Sequence, residues 1–231
     1  MKPVGRNRSL QSRLIDELRS AIVSGELEPG SLHSVNDLAT KLEVSRTPVR
    51  EALIALAGQG MVQFERNRGV RVRQTTTHDL GEVFQLRLLL EVPAVRRATS
   101  KLTPELLDNL RRELQAMRDA AASGDVDTMW EHDRQFHKLI LLGTGNRRLA
   151  DYVDSLRDLV LTQGTTTAGR SRSADEIVAE HTAILTPMER GNWHAAAAAM
   201  HDHIWHTAQL LITQESGTPA AVHDIDFDWT S

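Results

Sequence analysis

Apolar residues recur every three to four positions along most of this chain, and the departures from that rhythm fall in its first third. Leu10, Leu14, Ile15, Leu18, Ala21 and Ile22 predict an amphipathic first helix that Gly25 terminates, and Glu26-Leu27-Glu28-Pro29-Gly30 is turn chemistry. Ser34-Val35-Asn36-Asp37 has the form of a capping box, and Leu38, Ala39 and Leu42 give a short helix that ends near Glu43. Ser45 is placed to cap the next helix and Pro48 is tolerable in its first turn. Val49, Ala52, Leu53 and Leu56 form that helix's apolar face, and Gly60 ends it. The period then switches to two. Val62-Gln63-Phe64-Glu65 and Val70-Arg71-Val72-Arg73 predict strands joined by an Arg66-Asn67-Arg68-Gly69 turn, with Arg71 and Arg73 opposite the valines. Helix, turn, helix and basic hairpin together predict a winged helix-turn-helix over residues 1–75.

After the polar stretch Gln74-Thr75-Thr76-Thr77, which reads as a linker, the helical period holds throughout. It predicts helices at about 78–99, 104–122, 126–142, 146–169, 174–190 and 193–214. Thr77, Thr103 before Pro104, Asp125, Ser173 with Glu176, and Asn192 stand at N-cap positions, and Gly124, Gly143 and Gly191 lie in the breaks. The fold class expected is mainly α: the winged domain, then an all-α antiparallel helical bundle over 78–214. Residues 215–231 are rich in small and acidic side chains and read as a mobile tail, in which Ile225, Phe227 and Trp229 alternate as if able to dock.

Composition narrows the chemistry. None of the 231 residues is cysteine, which excludes disulfides, thiolate zinc sites and cysteine nucleophiles and suits a reducing cytoplasm. The cationic start has no apolar core behind it, and nowhere do about 18 apolar residues run together, so neither secretion nor a membrane span is expected. Residues 1–75 carry 12 Lys and Arg against 8 Asp and Glu, a net +4. With the whole chain at -4, the rest stands at -8, so charge suited to DNA is confined to the first third.

Two sets of residues sit where packing does not explain them. Arg46 and Arg50 lie four apart on a polar face of the third helix with Thr47 beside them, which fits phosphates and guanine edges or, as the plainer alternative, a solvated basic face. In helix 126–142, Asp133 and His137 fall inside the stripe of Val126, Met129, Trp130, Phe136 and Ile140. His181 lies among Ile177, Ile184 and Leu185, and His203 shares the inward side with Met200 and Thr207. One carboxylate and three imidazoles suit Zn²⁺, Ni²⁺, Mn²⁺ or Fe²⁺; on the residues alone, a hydrogen-bonded cluster of core histidines fits equally. His201 and His206 should point into solvent, and His132 belongs to the outer shell or the surface. Arg87 and Glu91 also enter an apolar stripe, where an internal ion pair is the simplest reading.

Gly25-x-Leu27-x-Pro29-Gly30, Leu38-Ala39, the run from Val44 to Leu53 and Gly60-Met61-Val62 closely resemble the signature of the GntR family of bacterial transcription regulators. Asp133-x-x-Phe136-His137, Gly143-Thr144-Gly145-Asn146, Glu180-His181 and the Met200-to-His203 segment resemble the helical effector domain of its FadR-type members, the FCD domain. The resemblance implies DNA contacts from Ser45, Arg46, Thr47, Arg50, Asn36 and the wing residues Arg68 and Gly69. Several members carry arginine where this chain has Asn36, which shifts base reading toward the third helix and the wing. It further implies a divalent ion, zinc first, on Asp133, His137, His181 and His203. Arg87 and Asn146, with Arg157 a lesser candidate, would line an effector pocket.

These readings converge on a cytoplasmic homodimeric repressor, not an enzyme, that reads a pseudo-palindromic double-stranded operator and whose affinity a small organic acid at the metal site changes. The competing expectations are a regulator that senses the metal itself and a DNA-binding metallohydrolase.

Overall fold

The computed structural model describes residues 10–74, 76–161, 167–168 and 170–217. They form two compact units, one built on the first 75 residues and one on Thr76–Arg157 with Thr166 onward, while Asp158–Thr165 count with the first.

The first unit contains α1 (Leu10–Val23), β1 (Leu32–His33), α2 (Val35–Lys41), α3 (Arg46–Gly58), β2 (Val62–Glu65) and β3 (Gly69–Val72). Leu14, Leu18 and Ile22, four residues apart, bury one face of α1 against Leu38 and Ala39 of α2 and Val49, Ala52, Leu53 and Leu56 of α3. Ser34 caps α2, its hydroxyl accepting from Asp37 N–H at 3.0 Å. Ser45 has the extended backbone of a cap but its side chain makes no capping bond, contrary to the sequence expectation. Pro48 in the first turn removes an N–H that had no helical partner to lose.

The strands form one antiparallel sheet in the order β1-β3-β2, with Val62 opposite Val72 and Phe64 opposite Val70. The two-residue β1 escaped the periodicity because it is too short to alternate. Gly69 opens β3 at φ +125°, and a Cβ there would lie 2.2 Å from His33 O, so the approach of β1 to the wing requires glycine.

The second unit contains α4 (Thr77–Ser100), α5 (Pro104–Ser123), α6 (Val126–Gly143), α7 (Arg147–Leu161) as far as Arg157, α8 (Ala174–Glu189) and α9 (Trp193–Ser216). The packing runs α4 along α9, α5 along α6, α8 along α9 and α5 along α8. The caps at Thr103, Asp125, Ser173 and Asn192 each accept a first-turn N–H. The cap of α4 is Thr76, in a reciprocal box with Asp79, rather than Thr77, which is helical. Two further expectations need correction. Val126 stands at the exposed start of α6 and is no part of the core. The helix drawn to residue 169 is not helical at Thr167 and Ala168, where Thr167 O instead accepts from the N–H groups of Arg170, Ser171 and Arg172 in a turn. A run of β-branched threonines between Gly164 and Gly169 has little helix propensity to oppose it. Glu215 and Ser216 belong to α9 and Gly217 caps it, while residues 218–231 of the expected tail, like the cationic start, lie outside the described residues.

Candidate functional site

Three helices converge on one buried cluster. Asp133 and His137 come from the same face of α6, one turn apart, His181 from α8 and His203 from α9. All four are buried, and one ligand atom from each lies within 4.8 Å of the others. The rings stand close: centroids are 5.3 Å apart for His137 and His181, 5.2 Å for His137 and His203, and 4.6 Å for His181 and His203.

The surroundings of the rings decide how they can be used. His137 Nδ1 lies 2.7 Å from Glu91 Oε2, His181 Nδ1 2.8 Å from Ile177 O, and His203 Nδ1 2.8 Å from Glu180 Oε2. Each partner can only accept, so each Nδ1 carries the hydrogen and donates it, which leaves every neutral ring with its lone pair on Nε2. The Nε2 atoms of His137 and His181 are buried and accept no hydrogen bond among the described residues. His181 Nε2 is 2.9 Å from Asp133 Oδ1, a distance that on its own suggests an ion pair. With its Nδ1 proton committed to Ile177, that nitrogen either donates to Asp133 from an imidazolium ring or, in a neutral ring, presents a lone pair that a shared cation would bridge to the carboxylate. Lone pairs aimed at a common point and rings held from behind by acceptors are what a divalent ion requires, so these residues fit one.

The electrostatics agree. Burial pushes the His137 imidazole down to about 4, with the Arg157 charge adding to it, and burial followed by the two neighbouring rings pushes His203 well below its ordinary value. Both rings are therefore neutral near pH 7 and their lone pairs free. Burial opposes ionisation of Asp133, but Arg157 and His181 outweigh it and hold the carboxyl well below its usual range. Glu91 is likewise held low against its burial by Arg87 and His137.

Arg87, an expected effector residue, donates from Nε to Glu91 Oε1 at 2.7 Å and is buried with it, the internal pair read from the sequence. The sequence did not reveal that Glu91 also holds His137. Arg157 donates from Nη2 to Asp133 Oδ2, and its Nη1 is buried without a partner, so this lesser candidate lies against the cluster. Asn146 does not join it: exposed, it caps α7 by accepting from Leu149 N–H at 3.2 Å. Glu180 receives His203, Arg172 Nη1 and, at 2.8 Å, His206 Nδ1, so His206, exposed as expected, also donates to the carboxylate that holds His203. His201 is exposed beside Asp202, and His132 pairs with Glu113 nearer the surface.

The first unit offers a different surface. Ser45, Arg46, Thr47 and Arg50 are exposed on α3 and Asn36 on α2, and the side chains of Arg46 and Arg50 have no partner among the described residues. Arg50, Ser34 and the wing residues Arg66, Asn67, Arg68 and Gly69 line a groove of about 600 Å³. Arg68 is exposed although it pairs with Glu65 at 2.8 Å, and Arg71 is engaged by Glu65 and Gly30 O. No helix among the described residues is long and apolar enough to cross a membrane.

Comparison with known proteins gives both units a place. The family described as "Bacterial regulatory proteins, gntR family" matches residues 10–72, and "FCD domain" matches residues 82–206. The gluconate operon transcriptional repressor of Bacillus subtilis is 36% identical over 129 residues, which are 56% of this chain and 53% of that protein. The transcriptional repressor RspR of Escherichia coli is 26% identical over 201 residues, covering 86% and 88%. Among solved structures, E. coli McbR/YncC superposes with a TM-score of 0.79 at 22% identity over 90% of this chain and 99% of that one, a likeness of fold. These relatives are transcription regulators, not enzymes, and with its matches to both domains this chain belongs to the GntR family, as a winged helix-turn-helix regulator with a C-terminal FCD domain.

Proposed function

We propose that this regulator is a metal-dependent repressor whose operator affinity is set by a small carboxylate bound in the helical unit. The observation that carries the reading is the convergence of Asp133 with three imidazoles whose Nδ1–H groups are all committed outward. Asp133, His137, His181 and His203 hold one divalent ion, zinc first on a set of three nitrogens and one oxygen. Such an ion supplies a Lewis-acidic position for a carboxylate oxygen. Glu91 and Glu180 orient two of the imidazoles, Arg157 keeps Asp133 ionised, and the guanidiniums of Arg87 and Arg157 offer the ligand positive charge in a site shielded from water. Asn146, exposed and engaged as a cap, is left out of the pocket.

On the DNA side, Arg46, Thr47 and Arg50 enter the major groove, Ser45 and Asn36 contact phosphates, and Arg68 follows the backbone on a wing whose close turn depends on Gly69. One such module covers only a few base pairs, so the working form is a homodimer on a pseudo-palindromic operator. The ligand acts by binding one arrangement of the paired reading heads better than another.

The test is an operator titration at fixed salt with metal-free protein, metal-loaded protein, and loaded protein with a panel of small carboxylates. A change in affinity that needs both metal and carboxylate supports the reading. A change produced by metal alone makes the ion the signal, and no change under any condition removes the proposal.

A further inference from the structure

Helix α4 buries one side in the helical unit, yet its outward side is apolar at the centre. Glu82, Leu86, Leu89, Pro93 and Arg96 follow one another at intervals of four, three, four and three residues, which keeps them on one stripe of the helix. All five are exposed, and Leu86 and Leu89 show 37% and 46% of their surface. Leu90 flanks the stripe and packs partly against a small core of Ala94, Leu141, Ala150 and Val153. Beside it α7 continues the apolar surface with half-buried Leu149 and exposed Tyr152. Apolar side chains grouped in this way mark a surface that a partner covers.

The charges at the two ends of the stripe identify the partner. Glu82 and Arg96 each stand seven residues from Leu89, about 10.5 Å away in opposite directions along the helix. A second α4 laid antiparallel about a twofold axis at Leu89 therefore brings each Glu82 opposite the other chain's Arg96, with Leu86 near Pro93 and Leu89 against Leu89. Parallel pairing would instead set Glu82 on Glu82 and Arg96 on Arg96. Neither charge has a firm partner of its own. Glu82 reaches His78 at 3.4 Å between two exposed side chains, and Arg96 lies over the Trp193 ring at 4.3 Å with no carboxylate partner among the described residues.

We propose that α4 pairs antiparallel with α4 of a second copy of this chain, with Leu86, Leu89 and Pro93 forming the seam, Glu82 and Arg96 closing it at both ends, and Leu149 and Tyr152 widening it. This rests on the proposed homodimer and names its interface. The inward side of the same helix carries Arg87 and Glu91, and Glu91 holds His137, so a single helix connects the buried cluster with the partner.

The test uses the full chain, which has no native cysteine. Sedimentation at micromolar concentration should give twice the 25.7 kDa mass of one chain. Leu86→Asp combined with Leu89→Asp should weaken self-association at least about 100-fold, because the seam would bury unpaired carboxylates, while the circular dichroism of the helices is retained. Glu82→Arg and Arg96→Glu should each weaken it about tenfold and together restore it, a rescue that a general loss of stability would not produce. On mild oxidation Leu89→Cys should join two chains rapidly, and Glu105→Cys, exposed on α5, should not. A wild-type chain that stays monomeric would overturn the homodimer and this interface together. A wild-type dimer that is indifferent to L86D/L89D, is not rescued by the charge exchange, or crosslinks no faster through Leu89→Cys than through Glu105→Cys would overturn the interface alone.

Discussion

Glu91→Gln removes one charge and changes no volume, so its effects come from charge and hydrogen bonding rather than from packing. Glu91 is 1% exposed and receives both Arg87 Nε–H and His137 Nδ1–H at 2.7 Å. A glutamine offers one acceptor oxygen and one N–H₂ group in their place. If the oxygen stays with Arg87, the amide donates to His137 Nδ1, the ring proton moves to Nε2, and the lone pair that faces Asp133, His181 and His203 is lost. If it turns to His137, Arg87 Nε–H faces another donor. The first outcome should weaken metal binding about 10- to 100-fold, or about 1.4–2.7 kcal/mol. Either outcome removes the charge that offsets buried Arg87, and the second also strands its Nε–H, so the stability of the metal-free protein should fall by about 2 kcal/mol. Competition against a chromophoric chelator measures the first quantity and denaturant unfolding in chelator the second. Zinc affinity within about twofold of wild type would refute the assignment of Glu91 as the group that sets the His137 tautomer.

Arg46→Ala and Arg50→Ala should each weaken operator binding by about 1–3 kcal/mol and relax preference within the half-site, as followed by titration at fixed salt; unchanged affinity and specificity would remove the α3 reading. Gly69→Ala should cost about 3 kcal/mol because of the positive φ and the contact with His33 O, and a melting curve equal to wild type would contradict the close approach of β1. The metal-free protein should lose stability as pH falls. An unfolded histidine binds its proton near 6.5 and folded His137 only near 4, so between those values the unfolded state holds more protons and gains about 3 kcal/mol on this ring alone. His203 acts in the same direction, and unfolding free energies equal at pH 7.5 and pH 5 would count against both.

Legibility in the sequence depended on which interactions are local. Apolar stripes at fixed spacing predicted α4, α5, α6, α8 and α9 to within a few residues, and the four clustered polar side chains were visible because each broke such a stripe. The groups that position them were not. The bonds from Glu91 to His137, Arg157 to Asp133 and Glu180 to His203 span 46, 24 and 23 residues, and periodicity within one helix carries no information about its neighbour. Arg172 lay hidden for a related reason, since the turn at Thr167 that presents it to Glu180 falls where a helix was expected. Thr76 and Thr77 are the same residue type in adjacent positions, so only the answering carboxylate of Asp79 distinguishes the cap.

The most direct test of the central claim is the metal content of dialysed wild-type protein and His203→Ala, measured together with operator binding. The account predicts one divalent ion per wild-type chain. It predicts little or none in the variant, whose carboxylate response and some thermal stability should also be lost while the winged unit still binds DNA. Full metal content in His203→Ala, or an intact carboxylate response in a metal-free protein, would contradict it and leave Asp133, His137, His181 and His203 as a hydrogen-bonded core cluster.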